Sequence, residues 1–381
     1  MSFLLSLPFY ILASKLNDMA ISIITDFDSI YLTSQLPEEI SFETDADSLK
    51  VTIYMNNNIV FSSDYYPYYE EVIVRDIRSL VEAFMEERRL CLGTMKIEAA
   101  ETVQTKPDIT YDDDGNIHYN YDNQSEETVT ETIDNIKVVY SRFKTTDESS
   151  DFLSSYFLTN RKSALVPKSG QLKLSNYTRA NASGSNKALI YYSRNANPGV
   201  VSTYRNNMST VQSTTEKIVT ATLTYRSFKQ IVEQALGINC KVHGVEYQIG
   251  DREFNIFFTD EEPTDVFSFY NAFNIEEHAY LFGATTIKTE IERSEAVCGE
   301  YTQFYDEKVK TKYEVETAPL TIDEAKWLNQ MLTSNLVKHG MEDGTFEDIL
   351  ISDITSEVSN SDKDLIRLKF SWKYADGNEW I

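Results

Sequence analysis

Near the end of the chain Ile366, Leu368, Phe370, Trp372 and Tyr374 fall at every second position, with Arg367, Lys369, Ser371 and Lys373 between them. Successive side chains of a β-strand point to opposite faces, so this pattern describes a strand with one buried and one wet face. The same period of two recurs in Leu49, Val51 and Ile53, in Thr285, Ile287, Thr289 and Ile291, and in Tyr313, Val315 and Thr317. With 24 Tyr and 20 Phe among 381 residues, the composition also favours strands. A mainly β chain with a few short helices follows, a β-rich α+β fold.

Two helices stand out by their 3.6-residue period. Ile77, Leu80, Val81 and Phe84 form one apolar face after Asp76, which is placed to cap the helix. Thr321-Ile322-Asp323-Glu324 reads as a capping box opening a helix over 321–338, with Ala325, Leu328, Leu332 and Leu336 on one face.

The first helix has an echo 151 residues later. Ser227 stands for Asp76 as the cap, Phe228, Ile231, Val232 and Ala235 stand for the apolar face, and Gly244 stands for Gly93 before the next strand. A recurring supersecondary unit predicts related folds. Here it predicts two β-sandwich-like domains, each braced by a helix. The expected divisions are an N-terminal arm over 1–19, a first sandwich over 20–100, an acidic hairpin insert over 101–135, and a second, larger sandwich over 136–381. In the insert Asp113-Asp114-Gly115-Asn116 supplies turn residues between two short β-like runs. The stretch 265–340 reads as a continuation of the second sandwich.

With 35 basic and 60 acidic residues the formal charge is −25. Nucleic acid and anionic membrane surfaces both call for a basic face, so neither is expected as a partner. The apolar run Phe3 to Ala13 is too short to cross a bilayer and contains Pro8. It reads as an arm that packs on a neighbour, led by Phe9 and Tyr10, with an extension ahead of a start at Met19 or a signal peptide as the alternatives. Cys91, Cys240 and Cys298 are widely spaced without a CxxC, which suits a reducing compartment such as a bacterial cytoplasm.

No catalytic constellation is legible, and no cofactor, metal or catalytic residue is assigned; the chain is not expected to be an enzyme. Asp112, Asp114, Asn116 and His118 resemble a calcium loop, but Gly115 falls at the fourth position and Asn123 at the twelfth, so a turn is the reading and a weak calcium site the alternative. Glu276-Glu277-His278 reads as the solvated turn of a hairpin. Tyr65, Tyr66, Tyr68 and Tyr69 around Pro67 are candidate interface residues, because tyrosine offers apolar area with a polar tip at little entropic cost.

The aromatic strand Val266 to Asn274, with Asn271-Ala272-Phe273-Asn274 followed by Glu276-Glu277 and Leu281-Phe282-Gly283, then Tyr313 to Thr317, Pro319-Leu320, Trp327-Leu328, Ser334 and Val337, resembles Bacteroidetes phage and prophage tail proteins. The similarity covers roughly 20–100 and 215–381, and Asn274 stands where those proteins usually carry a glycine. The pair of sandwiches is also similar in architecture to the distal tail proteins of long-tailed phages, which form hexameric rings. The resemblance implies a virion structural protein of the tail tip or baseplate, made in the host cytoplasm, whose partners are itself and other tail proteins. A carbohydrate-binding adhesin recognising host-surface glycan and a glycan hydrolase are the alternatives.

Overall fold

The computed structural model describes residues 21–46, 48–104, 108–111, 117–120, 126–180, 186–208, 214–355 and 366–375, with the side chains of 102–129 left aside. Phe9 and Tyr10, and the turn proposed as a calcium site at 112–116, lie outside the described residues. Among the described residues the chain is mainly β with four short α-helices, and it divides into two compact units, 1–140 and 141–381.

In the first unit β1 (Ser22–Ile23), β3 (Ile40–Glu43) and β6 (Glu71–Val74) form one sheet, ordered β1-β3-β6. The other is ordered β2-β10-β7-β4-β5, from β2 (Ile30–Leu32), β4 (Leu49–Met55), β5 (Asn58–Tyr65), β7 (Leu92–Gln104) and β10 (Glu126–Val139). Ile40, Phe42, Val72 and Val74 of the smaller sheet share one core with Val51, Ile53, Met95, Ile97 and Val138 of the larger. Every second residue of each strand is inward, as a sandwich requires. The helix α1 (Ile77–Glu87) adds Ile77, Val81 and Met85 to that core. A small hairpin, β8 (Asp108–Tyr111) with β9 (Ile117–Asn120), lies in the chain between β7 and β10; the insert expected over 101–135 is narrower, because residues 101–104 and 126–135 belong to the paired strands β7 and β10.

One expected boundary is corrected. Residues 136–140 do not begin the second domain: β10 pairs antiparallel with β7 and parallel with β2, so it closes the first sandwich. Ile136 and Val138 are buried there and have no other core to join.

The second unit opens with α2 (Ser149–Ser155), β11 (Ser163–Pro167), β12 (Gln171–Thr178), β13 (Asn186–Arg194), β14 (Asn197–Met208), β15 (Lys217–Thr224), α3 (Tyr225–Leu236), β16 (Cys240–Ile249) and β17 (Arg252–Thr259). The sheet order is β11-β17-β16-β13-β14, faced by the pair β12–β15. The five-stranded sheet repeats that of the first unit strand for strand, while the smaller sheet has two described strands where the first unit has three. The first strand pairs parallel with the last (β2 with β10, β11 with β17) and the remaining pairs are antiparallel. The helix enters between β6 and β7, and again between β15 and β16. The turn between β13 and β14 falls at Asn195–Ala196, and Pro198 occupies the edge strand β14, where a missing N–H is tolerated.

The offset of 151 is real where the helices meet the core: Ile77 and Val81 are buried, and so are Phe228 and Val232. It slips by one in the next strand, where Met95 and Ile97 face inward as do Val245 and Tyr247. Gly93 and Gly244 both mark close approach. A Cβ at Gly93 would collide with Met55 Sδ, and one at Gly244 would sit 2.8 Å from the Ile256 carbonyl. The caps differ from expectation. Asp76 has φ 61° and no capping bond; the first helical N–H, of Ile77, donates to the Glu38 carbonyl at 3.2 Å. Ser227 lies inside α3, whose cap is Thr224, accepting from the Ser227 N–H at 3.1 Å.

The stretch from Asp265 builds a sheet of its own. It comprises β18 (Asp265–Tyr270), β19 (Glu276–Leu281), β20 (Gly283–Cys298), β21 (Tyr301–Thr317), β22 (Val337–Gly340), β23 (Phe346–Thr355) and β24 (Lys369–Tyr374), ordered β19-β18-β22-β23-β24-β21-β20. The helix α4 (Ile322–Leu332) covers one face with Trp327, Leu328, Met331 and Leu332 against Phe267, Phe269, Phe370 and Trp372. The capping box forms: the Glu324 N–H donates to Thr321 Oγ1 at 3.3 Å and the Thr321 N–H to Glu324 Oε2 at 2.9 Å. The helix ends at Leu332 and not at 338. The Ser334 hydroxyl turns back onto the Leu336 carbonyl, and Val337–Gly340 joins the sheet beside β18.

Candidate functional site

The tyrosine cluster sits where β5 turns into β6. Tyr68 and Glu71 exchange both backbone hydrogen bonds, 2.9 and 3.2 Å, leaving a two-residue turn of Tyr69 and Glu70. Their φ angles are 53° and 68°. Two positive φ values in a two-residue hairpin are the signature of a type I′ turn, which normally takes Asn-Gly. A Cβ in this region costs about 1–2 kcal/mol per residue. The sequence nevertheless holds a tyrosine and a glutamate there. Tyr66, Tyr68 and Tyr69 are 81%, 77% and 85% exposed, and the rings of Tyr68 and Tyr69 meet edge-on at 4.4 Å. Tyr65 parts from the other three: it packs on the first core beside Phe61, and burial raises its pKa. Asp64, Glu70 and Glu71 make the surroundings acidic.

The Glu276-Glu277-His278 segment is a strand, not a solvated turn. The turn lies before it, where Asn271 Oδ1 accepts from the N–H groups of Phe273 and Ile275 and Asn274 takes φ 55°. Alternation along β19 sends Glu277, Ala279 and Leu281 inward. Glu277 is 3% exposed, accepts from Trp327 Nε1 at 2.7 Å and from the Asn271 amide, and faces Arg161 at 3.4 Å. The Arg161 guanidinium lies 3.7 Å over the Trp327 ring, and burial lowers its pKa. Glu276 and His278 take the opposite side. Lys173, 2.8 Å away, holds the Glu276 carboxyl below its usual range.

His278 borders a cleft of about 1080 Å³, with Tyr280, Asp265, His339, Phe346 and Tyr374. His339 Nε2 lies 3.2 Å from Asp265 Oδ1, and its Nδ1 lies 3.2 Å from the Tyr374 hydroxyl. Thr285 also bonds Asp265. The imidazole is stacked on Trp372 with centroids 4.5 Å apart. Both ring nitrogens are thus engaged by protein, so the group locks β18, β22 and β24 together and offers no free base. Among the described residues no three His, Cys, Asp or Glu side chains are grouped to hold a metal ion. Burial pushes the Cys91 thiol up to about 12 and raises that of Cys240, so neither is a ready nucleophile.

A second cleft, about 610 Å³, is bordered by Phe143, Phe152, Tyr156 and Phe273 and by Thr159, Asn160 and Arg161. Beside it Thr159 Oγ1, Asn160 Oδ1 and Arg161 Nε are buried without a hydrogen-bond partner.

The remaining exposed feature is the pair β20–β21. Only Tyr313–Glu316 of β21 reach β24, so from Lys312 outward each strand has the other as its one described neighbour. Ile287, Ile291, Val297, Tyr301, Phe304 and Tyr305 are each at least half exposed along it. Ile287 and Ile291 keep the strand's period of two without being buried, because alternation does not say whether a face is covered.

No family model matches the chain, and no curated protein matches it. No helix among the described residues is long and apolar enough to cross a membrane.

Proposed function

We propose that this chain is a structural assembly protein that docks on copies of itself and on other subunits, as a tail-tip or baseplate component of a bacteriophage virion. The observation that carries this reading is the turn at Tyr69 and Glu70. Three large aromatic side chains are held in solvent, and one of them, Tyr69, sits with Glu70 on a left-handed backbone that glycine and asparagine would occupy at lower cost. The first sandwich gains nothing from them, since its core is closed by Tyr65 and the strands behind it. Exposed tyrosines on a rigid scaffold are what an interface core needs: large area and little entropy to lose. Mass photometry of the wild-type chain is expected to show an oligomer of defined size. Replacing Tyr66, Tyr68 and Tyr69 together by alanine is expected to cut its formation at least tenfold without lowering the melting temperature; a wild-type chain that stays monomeric sinks the reading.

The cleft beside Phe143 and Tyr156 supports a second reading, a glycan-binding adhesin. Aromatic walls next to a threonine hydroxyl and an asparagine carbonyl without hydrogen-bond partners suit an amphipathic sugar ring. Glycan-array binding lost on Phe143→Ala, with Tyr66, Tyr68 and Tyr69 irrelevant to it, would favour this reading over assembly.

A further inference from the structure

We infer that the ribbon β20–β21 is a pairing device for two copies of this chain, its apolar face packing on the same face of a second ribbon about a two-fold axis at Arg293 and Glu307. This rests on the assembly reading and names the partner for a surface other than the tyrosine turn.

The register defines the faces. Residues directly opposite in an antiparallel pair share a face, and successive residues alternate. One face therefore carries, from base to tip, Ile287 with Tyr313, Thr289 with Thr311, Ile291 with Val309, Arg293 with Glu307, Glu295 with Phe304, and Val297 with Thr302. The other carries Lys288 with Lys312, Glu290 with Lys310, and Glu292 with Lys308. The bulge at Tyr305 keeps Phe304 on the apolar side, because the extra residue shifts the alternation of β21 by one. The ribbon is thus amphipathic. Its charged face is laced by Lys288 with Glu314 and Lys310 with Glu292. Its apolar face is open, with Ile291 50%, Phe304 59% and Ile287 63% exposed.

That open face continues a covered one. At the base Tyr313 stacks on Trp372 at 4.0 Å, and Val315 next along is buried in the core under α4. The sheet's inner face therefore runs on into solvent without its covering layer. A two-stranded ribbon has little stability by itself, and a second layer about 10 Å away is what normally completes it.

Charge selects the occupant. Residues 285–312 hold five basic and six acidic side chains, whereas the whole chain stands at −25. A copy of so acidic a chain is repelled over most of its surface, and this near-neutral element can approach another of its kind. A basic partner would be drawn to the acidic remainder instead. The pattern is also self-complementary. Arg293 and Glu307 pair across the strands at 3.0 Å, with Ile291 and Val309 on one side and Phe304 on the other. A two-fold axis there sets Val309 of each copy against Phe304 of its mate and Ile291 against the mate's Glu295, and brings each Arg293 near both Glu307 carboxylates. Isologous contacts of this kind place the same patch on both copies.

The test uses the full chain with Cys298, which is exposed near the tip, changed to Ser. Arg293→Cys lies at the axis. Facing layers stand about 10 Å apart, so the two Arg293→Cys thiols are in reach of a short bis-maleimide though not of a direct disulfide, whereas Val297→Cys lies four residues further out and its mate is about 27 Å away. The bis-maleimide is expected to give a covalent dimer from Arg293→Cys and none from Val297→Cys. Ile291→Lys combined with Phe304→Lys, both exposed and harmless to the fold, is expected to halve the particle mass. A cross-link from Val297→Cys alone overturns the two-fold geometry. Unchanged mass in the double variant with no cross-link from Arg293→Cys overturns the pairing, yet leaves assembly through the tyrosine turn standing. A wild-type chain monomeric at every concentration overturns both, and makes the ribbon's occupant a different molecule.

Discussion

Glu277 is the residue whose surroundings differ most from its sequence appearance. In a run of Glu-Glu-His it looks solvated, yet parity was the available signal: 277, 279 and 281 alternate with 276, 278 and 280, and Ala279 and Leu281 mark the inward side. What the sequence could not supply was the partner set, because Arg161, Asn271 and Trp327 arrive from other elements. Breaking a buried ionic pair by removing one member strands the other, at about 3–5 kcal/mol. Glu277→Ala would leave Trp327 Nε1 and the Arg161 guanidinium without their acceptor. It is expected to lose that amount in denaturant unfolding, while Glu277→Gln, which keeps one carbonyl oxygen, loses less. Equal losses from the two variants would mean that the site values its shape and not the charge.

Elements were legible where their pattern is local, and their ends were not. The capping box at Thr321 could be read because Thr and Glu three residues apart satisfy each other's backbone donors. Asp76 failed as a cap because its backbone is left-handed, and the helix's first N–H, of Ile77, is met instead by the Glu38 carbonyl, an assignment only the tertiary fold makes. The same limit hid the type I′ turn: Tyr-Glu carries none of the usual chemistry for positive φ, so Tyr65 to Tyr69 read as an undivided loop. Glu70→Gly removes one Cβ from the left-handed region and is expected to stabilise the first sandwich by about 1 kcal/mol in chemical denaturation. Oligomer formation should persist if the tyrosines make the contact, since all three remain. A destabilised variant would show that the Glu70 side chain contributes more than its backbone strain costs.

At the scale of the whole molecule, one sandwich topology occurs twice with almost no shared sequence. Burial constrains parity and size more than identity, so Ile77 and Val81 can be matched by Phe228 and Val232 while the rest diverges. The echo at Ser227 to Gly244 therefore disclosed a second sandwich, but not that it is complete within residues 141–259, nor that Asp265 onward forms a separate sheet. Each unit has cores of its own, which predicts two transitions in calorimetry. Acid should separate them. His243 and His278, both in the second unit, are held below the ordinary 6.5, chiefly by burial and then by Lys241 and Lys173 respectively. With the folded pKa depressed, the unfolded state binds more protons just below 6.5. The stability these neutral rings contribute is complete above 6.5 and is lost as pH falls from there through the folded values. Carboxylates such as Asp260, held at about 2 by Lys168 and Lys241, enter only at lower pH. Between neutrality and about pH 5 the second unit's transition is expected to move down while the first unit's holds its position, and replacing both histidines by glutamine should flatten that shift. A single transition moving as one would show that the two units unfold together.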